Sequence, residues 1–259
     1  MSSVQSAIAP PPKWLAWVEG HRATAEFSSL ALAAPYLGFA PRGDGHPVMV
    51  LPGFVTTDAS TWMLRRFLTH LGYDVHAWKL GRNVGPKCIG ARGEILERRL
   101  EEIREETGRT ASLVGWSLGG IMARELARAE PGSVRQVITL GSPFTGNPHA
   151  TNVSQLYEQI SGEKVDDLKL MERRGRPPPV PSTAIWSKTD GIVAWRNCIE
   201  PASPTTDNVE VRGSHFGLVV NPAVMFAIAD RLAQPEGRWT PFTREGWRAA
   251  VYPSSGHLQ

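Results

Sequence analysis

Gly115-Trp116-Ser117-Leu118-Gly119 sets a hydroxyl between two glycines, and an apolar run precedes it. Arg109 to Val114 reads as a short buried strand, and Ile121 to Ala127 as a helix that stops at Pro131-Gly132. A serine squeezed between strand and helix must turn through a cramped backbone conformation. Flanking glycines relieve that crowding and let the hydroxyl project outward. Glycine-serine pentapeptides occur by chance, so the strand and helix carry the reading of Ser117 as a nucleophile.

A serine hydroxyl attacks poorly unless a base takes its proton and a third group orients that base. On a sheet of alternating strands and helices, the order Ser, then Asp or Glu, then His is expected, each at a strand's C-terminal end. Asp190 follows the predicted strand Thr183–Ser187 directly, in Lys188-Thr189-Asp190-Gly191. A turn aspartate would also explain an Asp-Gly pair. Asp207 competes, but it stands just before a strand and hence at the wrong end. Asp166 and Asp167 fit an exposed helical surface. His215, in Gly213-Ser214-His215-Phe216 after the strand around Val209–Arg212, is the candidate base. His21, His46, His70 and His76 precede the nucleophile, His149 lies in an insertion, and His257 is in the tail.

Acyl transfer also needs donors for the oxyanion. The Leu118 N–H, at the start of the helix, is one candidate. The Phe54 N–H, in Leu51-Pro52-Gly53-Phe54 after the first main strand, is the other. A plain Pro-Gly turn is the alternative for that loop. Trp116, Phe144 and Phe216 would line an apolar mouth, with His149 touching substrate, although such aromatics are equally often core.

The elements that must hold these residues alternate. Pro47–Leu51 is a strand; Asp58–Leu71 is a helix with Met63, Phe67 and Leu71 on one face; Tyr73–Leu80 is a second strand. A charged helix with Ile95, Leu96, Leu100 and Ile103 inward follows, then the strand and helix around Ser117 and a strand at Val134–Leu140. This alternation predicts an α/β fold, a mostly parallel central sheet flanked by helices. Residues 143–181 break the rhythm with two helical pieces, Ser154–Ile160 and Val165–Met171, and form a cap or lid insertion. The expected division is an extension over 1–45, a core over 46–233 and an aromatic-rich C-terminal extension over 234–259 that packs on the body. Within the first segment, Lys13–Leu37 reads as helical in parts, with Trp14, Trp17 and Val18 as an apolar stripe toward the core.

Taken together, Leu-Pro-Gly-Phe at 51–54, Gly-Trp-Ser-Leu-Gly-Gly at 115–120, Lys-Thr-Asp-Gly at 188–191 and Gly-Ser-His-Phe at 213–216 resemble the α/β-hydrolase family. The similarity is to its bacterial lipase- and esterase-like members and runs from His46 to Leu232. Leu140-Gly141-Ser142-Pro143 is similar to the lipase strand end that borders the acyl pocket. Pro52 stands where many lipases carry histidine. The resemblance implies a serine hydrolase that cleaves carboxylic esters through an acyl-enzyme. An acyltransferase would use the same residues, and a binding protein that kept the fold is a third possibility. A serine nucleophile argues against the related dehalogenases and epoxide hydrolases, which use aspartate.

Composition bounds the rest. The 259 residues suit one α/β domain with insertions, and 28 basic against 25 acidic residues, evenly mixed, give no nucleic-acid footprint. Cys88 and Cys198 are the only cysteines; they form at most one bridge, and no spacing suggests a metal. No metal or organic cofactor is required. No segment has the ~18 apolar residues of a membrane span, and no signal peptide is apparent, so a cytoplasmic location is expected. The composition is compatible with a weak N-terminal contact with a membrane surface, and the sequence assigns no oligomeric state.

Overall fold

The computed structural model describes residues 8–162 and 168–253. Asp166, Asp167, His257 and the first part of the expected Val165–Met171 helix lie outside the described residues.

Six strands form one sheet: β1 (Pro47–Leu51), β2 (Asp74–Ala77), β3 (Ala111–Trp116), β4 (Val134–Leu140), β5 (Ser182–Ser187) and β6 (Thr206–Val211). The order is β2-β1-β3-β4-β5-β6 and every pairing is parallel. Helices cover both faces, so β1, β3, β4 and β5 are buried along their whole length. Their side chains alternate between two cores. Val48, Val50, Val114 and Ile138 pack with α8 (Pro222–Leu232), whereas Met49, Leu51, Leu113 and Val137 pack with α4 (Glu94–Thr107) and α5 (Leu118–Ala129). Strand order reverses between β1 and β3, and in such sheets ligands bind beyond the strand ends at that crevice.

Several elements differ from expectation for local reasons. The second strand is only Asp74–Ala77, because Asp58 Oδ1 and Oδ2 accept the Trp78 and Lys79 N–H groups, both at 3.2 Å, and Lys79 adopts φ 62°. The expected Asp58–Leu71 helix divides into a 3-10 turn over Asp58–Thr61 and α2 (Trp62–His70), and a single turn, α3 (Pro86–Ile89), precedes α4. The last strand begins at Thr206 and ends at Val211. Cys88 and Cys198 are both free, Cys198 fully buried, so no bridge forms. Burial pushes both thiols up in pKa.

Between β4 and β5 lie α6 (Ser154–Ser161) and α7 (Leu168–Gly175). The end of α7 is tied to α5: Arg124 Nη2 donates to the Arg176 carbonyl at 2.8 Å and the Arg174 carbonyl at 3.2 Å. Arg124 also pairs with buried Glu200 and lies 3.7 Å over the Phe144 ring. Phe144 is therefore core, beneath a guanidinium, and not part of an open mouth.

The largest correction concerns α1 (Lys13–Leu37), a continuous helix that packs on α8 and on the turn Phe216–Val219. Trp14 and Trp17 are 61% and 81% exposed, whereas Leu15 and Glu19 are buried. The helix thus presents its tryptophans to solvent and its charged residues Glu19, Arg22 and Glu26 to the protein. Beyond α8 the chain returns to the body through Phe242 and Tyr252, both buried. The Tyr252 hydroxyl lies 2.8 Å from that of Tyr36 on α1. A last short helix, α9 (Arg248–Val251), lies beside it.

Candidate active site

Ser117 stands between β3 and α5 at φ 55°, ψ −122°, a region that residues with a side chain rarely enter. Its N–H donates to the Leu140 carbonyl at 2.8 Å, and its own carbonyl accepts from Gly120 at 3.0 Å. The glycines are steric necessities. A Cβ at Gly115 would lie 2.4 Å from the Gly119 carbonyl oxygen and from Gly120 Cα, and one at Gly119 would lie 2.5 Å from the Leu51 carbonyl oxygen. Strand and helix can approach this closely only without those side chains, and the approach fixes the turn.

Leu118 occupies the first position of α5, where a helix leaves its N–H groups unsatisfied and concentrates positive dipole. The loop after β1 faces it. Gly119 meets the carbonyls of Leu51 and Pro52, so the two loops touch. Val55, next to Phe54, adopts φ 55°. Asn83, fully buried, holds this loop: its carbonyl accepts from Val55 N–H at 2.7 Å, its N–H donates to Thr56 at 2.9 Å, and its side-chain amide donates to Pro52 at 2.8 Å. Among the described residues the Phe54 N–H has no acceptor. The Phe54 ring packs against Tyr157 of α6, with centroids 5.3 Å apart.

Asp190 and His215, 25 residues apart, meet at the C-terminal ends of β5 and β6, where His215 Nδ1 lies 2.6 Å from Asp190 Oδ2. The other carboxylate oxygen accepts from Ile192 and Val193 N–H, each at 2.8 Å, so the aspartate cannot rotate freely. Both side chains are buried. Burial disfavours the imidazolium, but the Asp190 charge and hydrogen bond, with the Glu19 charge, outweigh it and leave the His215 pKa raised. With Nδ1 engaged by the carboxylate, Nε2 is the atom left to exchange a proton. Gly141, at φ 56° after β4, leaves the space beside this pair, since a Cβ there would lie 3.1 Å from His215 Nδ1. In this resting arrangement Ser117 Oγ has no hydrogen-bond partner among the described residues. Such contacts often tighten only when substrate binds.

Asp207 lies at the opposite end of the sheet, at the start of β6, where Oδ2 accepts the Phe242 N–H at 2.6 Å and secures the C-terminal segment. Trp116 is buried. Its ring fills the space a Gly53 Cβ would need, 2.9 Å away, and its indole N–H donates to the His215 carbonyl at 3.1 Å. It braces two loops. Phe216 is half-exposed beside it. His149 is exposed on the loop after β4. A cavity of about 520 Å³ opens beside Leu118, lined by Ile89, Leu96, Ile121, Met122 and Tyr157, with Arg173 and Arg174 among its edges. None of Trp116, Phe144, His149 and Phe216 lines it. Among the described residues no three His, Cys, Asp or Glu side chains converge as a metal site would require, and no helix is long and apolar enough to cross a membrane.

A sequence profile of the alpha/beta hydrolase family matches residues 48–258. The chain belongs to that family. Solved structures share the fold at low identity. A Bacillus licheniformis lipase in its mature form superposes with a TM-score of 0.55 at 18% identity, over 76% of this chain and 95% of that one. Paleococcus ferrophilus monoacylglycerol lipase gives 0.53 at 16%, over 75% and 96%. Aspergillus fumigatus lipase B gives 0.54 at 17% over 74% of this chain, and the match spans only 53% of the fungal protein. The family match begins at Val48 and so leaves α1 outside it.

Four residues that organise this hydrolase-family site escaped the sequence reading: Asn83, Glu19, Arg22 and Glu26. Asn83 carries no motif. The other three share one helical face by spacing (i, i+3, i+7), a signal that was present but reads equally as a solvated face.

Proposed function

We propose that the chain is a hydrolase of carboxylic esters that works through an acyl-enzyme on Ser117. The observation that carries this is the buried Asp190–His215 hydrogen bond, at the strand ends flanking a strained serine at the start of α5. His215 Nε2 takes the Ser117 proton as Oγ forms a bond to the ester carbonyl carbon. The Phe54 and Leu118 N–H groups stabilise the oxyanion. As the tetrahedral adduct collapses, the carbon–oxygen bond to the alcohol breaks and His215 returns the proton to the departing oxygen. Water then attacks the acyl-enzyme, with His215 again taking and returning a proton, and the acid leaves. Asp190 holds the imidazole and stabilises its protonated form.

The cavity beside Leu118 falls within the range of small-ligand sites; its aliphatic residues Ile89, Leu96, Ile121 and Met122 suit an acyl chain of moderate length, while Arg92, Glu97, Glu125, Arg128, Arg173 and Arg174 make much of the rest of its lining charged. Insertion helix α6, whose Tyr157 touches Phe54, serves as part of a cap over it. Small-molecule and lipid esters are the candidate substrates, and neither a metal nor an organic cofactor takes part in the proposed steps.

The test combines a fluorophosphonate probe with p-nitrophenyl esters from acetate to palmitate. Stoichiometric labelling of Ser117, with fluoride released, and a turnover maximum at intermediate chain length are expected. Turnover retained in Ser117→Ala would sink the reading.

A further inference from the structure

Five hydrogen bonds join α1 to the two loops that carry Asp190 and His215. Arg22 donates to the Thr189 carbonyl at 2.6 Å and to its hydroxyl at 2.9 Å. Glu19 Oε1 accepts the Gly191 N–H at 2.8 Å. Glu26 Oε1 accepts the Ser214 N–H at 2.7 Å, and Glu19 Oε2 accepts the Phe216 N–H at 3.0 Å. The residues held are the immediate neighbours of Asp190, 189 and 191, and of His215, 214 and 216. Glu19 is fully buried and spans both loops with one carboxylate.

The packing is correspondingly tight. A Cβ at Gly191 would lie 2.6 Å from the Leu15 carbonyl carbon in α1, and one at Gly217 would overlap Glu26 Oε2. A helix that turns Glu19, Arg22 and Glu26 inward while Trp14 and Trp17 stay in solvent gains little from apolar burial at these positions. Its polar face serves the loops.

We propose that Glu19, Arg22 and Glu26 are positioning residues that brace the acid–base pair, with Glu19 fixing the placement of Asp190 relative to His215. The proposal rests on the catalytic reading given above. Because catalysis is sensitive to displacements of about 1 Å, loss of the bridging carboxylate should cost ~10²-fold in rate. It should also change the titration of the base. The charged groups around His215 are Asp190 on its own hydrogen bond and Glu19 from α1. Arg22 stands 3.7 Å behind Glu19, Glu26 is turned to Ser214 and Asn221, Lys188 after β5 is paired with Glu210, and the Cys198 thiol is buried nearer Asp190. Glu19 raises the His215 pKa, so its removal lowers it.

The experiment uses the full chain with a p-nitrophenyl ester, the fluorophosphonate probe and circular dichroism. Glu19→Gln is expected to lower kcat/KM ~10²-fold and to move the acidic limb of its pH profile to lower pH. Glu19→Asp keeps the charge but cannot span both loops; it should lose rate and leave the limb near its original position. Tyr36→Phe, on the same helix but away from these loops, should change neither. The proposal is overturned if Glu19→Gln matches the parent, or if its loss follows the folded fraction with the limb unmoved. Should Glu19→Gln fail to fold, Glu26→Gln and Glu19→Asp decide, since unchanged rates in both would also overturn it. A parent protein whose Ser117 resists the probe would refute the catalytic reading itself. Equal labelling rates in parent and Glu19→Gln would refute only the brace.

Discussion

The molecule contains two chains of Asp, His and Ser, one at each end of the sheet. At the N-terminal end Asp44 Oδ1 meets His46 Nδ1 at 2.5 Å, and His46 Nε2 meets Ser112 Oγ at 2.8 Å. At the C-terminal end stand Asp190, His215 and Ser117. The residue types match, but their environments differ in three ways. Ser112 lies within β3, fully buried in extended backbone, whereas Ser117 sits on a strained turn with part of its surface open. Arg109 and Arg135 share the Asp44 carboxylate at 3.3 and 3.0 Å, whereas among the described residues Asp190 has no cationic side chain within ion-pair distance apart from its histidine. Burial, with the two arginines, lowers the His46 pKa despite Asp44, while Asp190 and Glu19 raise that of His215. Inventory and hydrogen bonding therefore do not make a catalytic site. Access, backbone strain and the sign of the local field separate the structural cross-link at Ser112 from the proposed reactive centre at Ser117.

Substitutions at matched positions break this comparison most directly. Ser117→Ala should lower kcat by ~10⁶-fold with the fold intact, while Ser112→Ala should leave kcat unchanged and lower the melting temperature. The cost in the second case is about 1–3 kcal/mol, from a buried histidine nitrogen left unpaired. Ester turnover and thermal unfolding read the two effects. Next in size, Asp190→Asn should cost ~10⁴-fold in kcat by disturbing the imidazole tautomer. Asp44→Asn and Asp207→Asn should cost stability alone, and the reverse ranking would show that the wrong carboxylate had been assigned. Asn83→Ala should cost ~10²-fold by releasing the Phe54 loop, about what one oxyanion donor contributes. Restoration of activity by Asn83→Asp, which cannot donate to Pro52, would refute that account.

The smallest effects lie in pH dependence. Because the His215 pKa is raised, kcat/KM should fall with acidification from a point above the ordinary imidazole value. The stability that His215 contributes is fully present below the unfolded value of 6.5 and is lost as pH rises through its folded pKa. His46 behaves oppositely. Its pKa is lowered in the fold, so the unfolded chain binds more protons below pH 6.5 and stability falls with acidification until the folded pKa is passed. His46→Asn should flatten that acid slope in thermal melts without moving the activity profile.

Much of the site was legible because it rests on local rules. Gly115 and Gly119 announce a strand–helix turn, and Asp190 and His215 each follow a segment that reads as a strand of an alternating α/β chain. Asp207 was separable by the same logic, since it stands at the entry end of its strand. What escaped depends on contacts between distant segments. Glu19 meets Gly191 and Phe216 across 172 and 197 residues, and nothing near position 19 signals those partners. Trp14 and Trp17 then misdirect, because large aromatics are ordinarily inside and buried carboxylates are rare. Phe144 fails for a related reason: an apolar residue next to a strand end is equally compatible with a pocket wall and with the core, and Arg124 decides between them.

The position of α1 has a practical consequence. The span that identifies the family begins at Val48, yet the ties on either side of Asp190 and His215 originate at residues 19, 22 and 26. A fragment trimmed to the recognisable domain would keep Ser117, Asp190 and His215 and still lose their alignment. Adding back a peptide of residues 8–40 should then restore ester turnover in a concentration-dependent way, and a fragment 48–259 as active as the whole chain would show that the ties from α1 are dispensable.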